Sequence, residues 1–247
     1  MIDVAFLGAH VRPAATAVVI DVLRATTTIT TALASGYERV LVAGGLDQAR
    51  ALRAEGRVLA GELKCERPPD FDLGNSPEET LEPRGPELIL ATTNGAPAIV
   101  GAVAACDEVL LACLHNEDAV VHALAASTGD ILILCAGTNG SVTVEDTYLA
   151  GRLSAALGGP KTDAARIAEA VAAAYPDPID ALEVSAGAEQ LRLVGLGSDV
   201  AFCAQVSTTT VVPRVVPGAA GAGAVVLEIL PTQGKTSQTG IAGVGAE

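Results

Sequence analysis

Apolar runs of strand length, separated by amphipathic stretches, are the feature that most limits what this chain can become. The runs are Thr16 to Ile20, Val40 to Ala43, Val58 to Ala60, Leu88 to Ala91, Val109 to Ala112, Ile131 to Cys135 and Val225 to Leu230, and Met1 to Phe6 reads as a further strand. Runs that are apolar on both sides must be covered on both faces, as in a sheet packed between two layers of helix. Between them, Asp47 to Ala54 and Glu117 to Ala126 carry helical spacing, with Gly36 and Gly56 as stops and Asn116 as a start. Ser76-Pro77-Glu78-Glu79 reads as a helix entry in which Ser76 caps and Pro77 opens the first turn. Leu149 to Leu196 is almost wholly helical and is broken at Tyr175-Pro176-Asp177-Pro178. The fold expected is α/β, a three-layer α/β/α arrangement with a largely parallel sheet. The break allows two lobes dividing near 128–180, with a site in the crevice between them. The domain is placed at 1–231, and the Gly/Ser/Thr-rich stretch 232–247 reads as a loose tail.

Composition narrows the function classes. Half of the 247 residues are hydrophobic, enough for a sizeable core, yet the best apolar run, Ala17 to Leu23, contains Asp21. No segment approaches the ~20 apolar residues of a spanning helix, so no membrane is expected. A net charge of −14 from 15 basic and 29 acidic residues argues against nucleic acid, as does the lack of Trp with only three Phe and three Tyr to stack on bases. The N-terminus has no basic region or long apolar core of a secretory signal, which places the protein in the cytoplasm. Cys65, Cys106, Cys113, Cys135 and Cys203 form no Cys-x-x-Cys pair and read as reduced thiols, and His10, His115 and His122 make no zinc pattern. Small surface residues permit, without demanding, a homodimer.

Four polar clusters interrupt the apolar pattern where strands end, the place where open α/β sheets bind ligands. Asp21-Val22-Leu23-Arg24-Ala25-Thr26-Thr27-Thr28 offers an acid, a base and hydroxyls at a helix start, suited to a metal and an oxyanion, or equally to a cap in which Arg24 pairs Asp21. Gly61-Glu62 precedes the loop Phe71-Asp72-Leu73-Gly74-Asn75-Ser76-Pro77; Glu62 is either a site carboxylate or an ordinary loop acid. Thr92-Thr93-Asn94-Gly95 is an anion cradle or a plain turn. Cys135-Ala136-Gly137-Thr138-Asn139-Gly140 leads to Glu145 and Asp146, which as helix neighbours do not share a face, so at most one is a direct ligand. Together the four clusters predict a site for a small anionic ligand with a hard, oxygen-bound cation.

Standard alternatives fail on spacing. Gly218-x-x-Gly221-x-Gly223 lacks the third dinucleotide-loop glycine because position 226 is Val. Cys135 begins no Cys-x5-Arg loop, since Ser141 stands at the Arg position, Leu23 breaks an Asp-x-Asp pair, and no Gly-x-x-x-x-Gly-Lys-Ser/Thr loop exists.

In their order and spacing, the segments Val18 to Thr28, Gly61-Glu62, Phe71 to Pro77, Thr92 to Gly95, Cys135 to Thr138 and Glu145-Asp146-Thr147 resemble the 2-phosphosulfolactate phosphatases of the ComB type, over about residues 2 to 230. The resemblance implies a magnesium-dependent phosphatase that hydrolyses 2-phospho-3-sulfolactate to sulfolactate and phosphate, a step of coenzyme M biosynthesis. It implies Mg²⁺ held by Asp21, Glu62 and either Glu145 or Asp146, with Arg24 and the amides near Thr26 and Thr138 on the phosphoryl group. Asn75, Thr93, Asn94, Gly95 and Gly137 complete the expected substrate contacts. Water would attack directly, or Asp21 or Cys135 would form a covalent intermediate. Where the family usually reads Gly-Glu-Arg this chain has Gly61-Glu62-Leu63, leaving Arg67 to supply that charge. The rival readings are a phosphatase of another small phosphorylated hydroxy acid and a non-catalytic binder of phosphorylated or sulfonated acids.

Overall fold

Alternating apolar residues along the strands feed core clusters on both faces of the sheet, and this alternation is what builds the three layers. The computed structural model describes residues 1–125, 127–216 and 225–229. Strands β1 (Ile2–Ala5), β2 (Ala14–Ile20), β3 (Arg39–Val42), β4 (Arg57–Gly61), β5 (Glu87–Ala91), β6 (Cys106–Ala112), β7 (Ile131–Cys135), β8 (Pro213–Val215) and β9 (Val225–Ile229) form one sheet in the order β1-β7-β2-β6-β8-β9-β3-β5-β4. Val18 and Ile20 of β2, with Ile131 and Ile133 of β7, point to one face; Ala17 and Val19, with Leu132 and Leu134, point to the other. The first face is covered by α4 (Glu117–Leu124), α5 (Val144–Ala156), α6 (Asp163–Ala174), α7 (Pro178–Glu183), α8 (Ala186–Leu193) and α9 (Ser198–Cys203). On the second lie α1 (Ala25–Ser35) and α3 (Gly95–Ala105), while α2 (Leu46–Ala51) packs over β3, β4 and β5. The α/β/α fold with a mostly parallel sheet is as expected. Among the described residues no helix is long and apolar enough to cross a membrane.

Two parallel sets, β1-β7-β2-β6 and β3-β5-β4, are joined through the antiparallel pairings β6–β8, β8–β9 and β9–β3. Three antiparallel steps reverse strand direction between the sets. The loops after their carboxyl ends still meet, for the Asn139 amide beyond β7 donates to Asn94 Oδ1 beyond β5 at 3.0 Å.

Local punctuation departs from expectation in three places. Gly36 does end α1, at φ +113°, but α2 ends at Ala51, and Gly56, at φ +79°, belongs to the turn into β4. Asn116 sits at the start of α4 without capping it; its side chain accepts from the Cys113 amide and donates to the Leu111 and Val211 carbonyls. Ser76 precedes a short 3-10 turn, Pro77–Thr80, but its hydroxyl is drawn away to Asp199. The break at Tyr175 to Pro178 is a helix start, with Asp177 capping α7 through the Ile179 amide; residues on both sides of it pack in the same core. Val225 to Ile229 forms β9, whereas the stretch 232–247 and the whole of the Gly218 to Gly223 motif lie outside the described residues.

Helices α5 and α6 pack closely at Gly151, where a Cβ on α5 would overlap the Ala168 carbonyl oxygen of α6. Helix propensity favours Ala over Gly by about 1 kcal/mol, but overpacking costs about 1–3 kcal/mol, and here the overlap is with rigid backbone. Gly151→Ala should therefore lower Tm by ~2–8 °C in a thermal melt, at about 2–4 °C per kcal/mol for a domain of this size; a rise would show that α6 shifts freely.

Candidate active site

The loops after β2, β4, β5 and β7 enclose a cleft of about 290 Å³. Asp21 comes from the first loop, Glu62 from the second, Thr92, Thr93 and Asn94 from the third, and Thr138 and Asn139 from the fourth. Leu23, Arg24, Lys64, Cys65, Asn75 and residues of α8 complete the wall. Sequence reasoning thus located the four loops, and the structure brings them together.

Asp21 is the residue after β2. Its Oδ1 accepts the Ala25 amide at 3.2 Å and so caps α1. Its Oδ2 lies against Gly95, where any Cβ would overlap it; glycine is what lets α3 begin beside the carboxylate. Two other acids have both oxygens tied to backbone amides. Glu62 accepts from Cys65 at 2.8 Å and from Thr93 at 2.7 Å. Asp146, behind the cleft wall, accepts from Val22 at 2.9 Å and from Gly137 at 3.0 Å. Glu145 is different: it is 2% exposed, and its Oε2 has no hydrogen-bond partner. Gly187 of α8 leaves the room beside Glu145 Oε1, since a Cβ there would come within 2.9 Å.

Crowding negative charge in a buried site disfavours its ionised form. Burial, then the Asp146 charge, raises the Asp21 carboxyl to about 8, and Glu62 adds to the effect while Arg24 opposes it. Burial raises Glu145 to about 7, with the Asp21 charge adding to it. Asp146 rises to about 7, through burial and then Glu145, against its two amide donors. Oxygen donors with surplus negative charge suit a hard cation. Among the described residues no three His, Cys, Asp or Glu side chains converge as a closed cage. A cation here would use one or two carboxylates and complete its shell with water or ligand oxygens, the habit of magnesium. Asp21 and Glu145 supply the oxygens that no amide has claimed.

Several groups expected at the ligand are engaged elsewhere. Thr26 is fully buried, and its hydroxyl and amide both donate to the Asp21 carbonyl, at 2.8 and 3.0 Å, leaving nothing for a ligand. The Gly137 amide is spent on Asp146, and the Thr138 amide on the Ser141 carbonyl, although Thr138 itself lines the cleft. Cys135, the last residue of β7, is fully buried in the core, and burial pushes its thiol well above the ordinary range, so it is no nucleophile. Arg24 lines the cleft but pairs with buried Asp199 at 2.5 Å, not with Asp21, and also donates to the Cys65 carbonyl at 3.3 Å. Arg67 donates to the Asp72 carbonyl and borders a neighbouring cleft. Asn75 lines the cleft, with a buried Oδ1 that has no partner. Lys64, Cys65 and Asp199 were missed. Lys64 and Cys65 directly follow Glu62 and Leu63, which was the available signal; Asp199 is 175 positions from the arginine it holds.

A sequence profile of the family described as 2-phosphosulpholactate phosphatase matches residues 7–218. The chain is 43% identical over 213 residues to a protein of Thermus thermophilus named a probable 2-phosphosulfolactate phosphatase, covering 83% of this chain and 90% of that one. Relatives with the same name in Deinococcus radiodurans (42% over 211 residues, 82% and 88% covered) and Pseudothermotoga lettingae (37% over 215 residues, 86% and 95% covered) are similar in extent.

The raised carboxyls make stability depend on pH in a definite direction. Asp21, Asp146 and Glu145 bind more protons folded than unfolded between their ordinary values, near 4, and about 7–8, so stability falls as pH rises through that window. Glu117, raised by burial, adds to the same trend, and His115, lowered by burial, works the other way, one group against four. Asp3 and Glu169, lowered by their partners, matter only below about pH 4. Chelated protein should therefore melt at a lower temperature at pH 8.5 than at pH 5.5. Asp21→Asn, which keeps an acceptor for the Ala25 amide, should raise Tm at pH 8.5; a melt independent of pH would refute the buried charge.

Proposed function

The chain belongs to the 2-phosphosulfolactate phosphatase family, and from that premise we propose that it is a phosphoric monoester hydrolase acting on (2R)-2-phospho-3-sulfolactate with Mg²⁺, releasing 3-sulfolactate and inorganic phosphate. One observation carries the reading: four strand-end loops converge on a small cleft lined by Asp21, whose Oδ1 alone takes an amide, and Glu145, buried behind the cleft-wall residue Gly187, keeps an Oε2 without a partner. A pure anion binder would not gather acids beside its ligand unless a metal intervened.

Phosphoryl transfer needs positioning and charge neutralisation more than covalent chemistry from the protein. Mg²⁺, when bound, neutralises phosphate oxygens and eases deprotonation of water. Asp21 and Glu145 would hold it. Glu62 and Asp146, each fixed by two amides, keep the loops in register and maintain the negative field that attracts the cation. Asn75, Thr93 and Thr138 offer polar groups to the substrate along the cleft wall. With Cys135 sealed in the core, water is the nucleophile in this account and attacks phosphorus directly. The five cysteines are all free, which supports a cytoplasmic setting.

The test is phosphate release from 2-phosphosulfolactate, phospholactate and an aryl phosphate, each with Mg²⁺ and with chelator. The sulfonated ester should be preferred and its turnover abolished by chelation. Asp21→Asn and Glu145→Gln should each reduce kcat/KM at least ~100-fold, about 2.7 kcal/mol, while folding normally. Turnover of the other esters alone would reassign the substrate, and full activity of both variants would remove their roles.

A further inference from the structure

Two basic side chains line the cleft wall, and they differ in what they are free to do. Arg24 is buried, with its charge balanced by Asp199 and a second donor spent on the Cys65 carbonyl. Lys64 is exposed at the cleft and makes no ion pair or hydrogen bond with the described residues. Its backbone conformation is unusual as well. The Leu63 amide donates to the Glu66 carbonyl at 3.0 Å and the Glu66 amide donates back at 3.2 Å, closing a two-residue turn. Lys64, at φ +55°, and Cys65, at φ +67°, both occupy the left-handed region at its centre. A turn of this kind favours Asn-Gly, because residues with larger side chains avoid that conformation.

The cleft's own charged residues hold the turn in place. Glu62 Oε2 accepts the Cys65 amide, and the Arg24 guanidinium donates to the Cys65 carbonyl. Lys64 and Cys65 are thereby kept on the cleft wall, while Leu63 before them is 55% exposed and absent from that wall. Strained backbone retained by surrounding contacts marks a place where side-chain direction matters.

The inference rests on the phosphatase reading above. The phosphoryl group and its cation belong with Asp21 and Glu145. The remainder of the proposed substrate carries further anions, and Asp21, Glu62, Glu145 and Asp146 would repel them unless a positive group compensates. Arg24 is already neutralised, and lysine is a compact charge on a long stem that reaches without demanding bidentate geometry. We infer that Lys64 is the residue that determines specificity, binding the anionic group of the substrate other than its phosphoryl, the sulfonate or the carboxylate.

The test compares wild type with Lys64→Met, Lys64→Arg and Lys64→Gly, the last relaxing the turn while removing the charge. Against 2-phosphosulfolactate, Lys64→Met and Lys64→Gly should raise KM at least tenfold with kcat nearly unchanged, and Lys64→Arg should restore most of the loss. Aryl phosphate, which lacks a second anion, should be unaffected. A matching KM rise with phospholactate assigns the carboxylate to Lys64, and no rise assigns the sulfonate. Equal effects on all three esters, a fall in kcat alone, or a Lys64→Gly enzyme that behaves as wild type would overturn the inference. Calorimetric binding of 3-sulfolactate separates it from the phosphatase reading. Binding weakened tenfold by Lys64→Met upholds the role of Lys64 even if no ester is hydrolysed, and binding that is unchanged, or absent from wild type, refutes it.

Discussion

Asp146 joins the ends of two strands by accepting one amide from each loop, Val22 beyond β2 and Gly137 beyond β7. Glu62 does the same in the other parallel set, linking the loop after β4 to Thr93 after β5. Each acid holds two amides at once, and each fixes a loop whose position a neighbouring strand alone would leave free. Everything at the cleft depends on these two junctions. They set where Asp21 lies against Gly95, where Asn94 meets Asn139, and where the turn bearing Lys64 is held.

The same arrangement concentrates negative charge. Carboxylates removed from water and placed near one another stay protonated, or draw a cation. Arg24 relieves the crowding only in part, since it is paired with Asp199 and both side chains are 1–2% exposed. Such a pair contributes more to fixing position than to net stability, because burying both charges costs nearly what their attraction returns. The four acids therefore divide their tasks. Two are locked by amides and organise the loops, and two keep oxygens available for chemistry.

Much of this was legible in the chain. Runs apolar on both sides gave the strands of both parallel sets within a few residues, and the rule that ligands sit at strand carboxyl ends singled out Asp21, Glu62, Thr93 and Thr138, which the fold brings to one cleft. Three expected contacts are engaged elsewhere, two of them because a polar group beside a site has to satisfy the backbone first. Thr26 serves the Asp21 carbonyl, the Gly137 amide serves Asp146, and Cys135 ends a strand whose side chain turns into the core. Local spacing cannot reveal such competition. Nor could it reveal the Arg24–Asp199 pair, which joins α9 to the start of α1 across the whole chain, or the turn that places Lys64 beside Glu62. Strand β8, three residues long and set between longer neighbours, carries too short a pattern to read.

The central claim is that buried carboxyls hold protons in the empty site and surrender them to a cation. Titration calorimetry of Mg²⁺ binding at pH 6.5, in buffers of different ionisation enthalpy, measures this directly. The account predicts release of about one proton or more per Mg²⁺ bound, because metal ligands must be deprotonated, with release shrinking by pH 9 and falling in Asp21→Asn. Binding without proton release at pH 6.5 would contradict it.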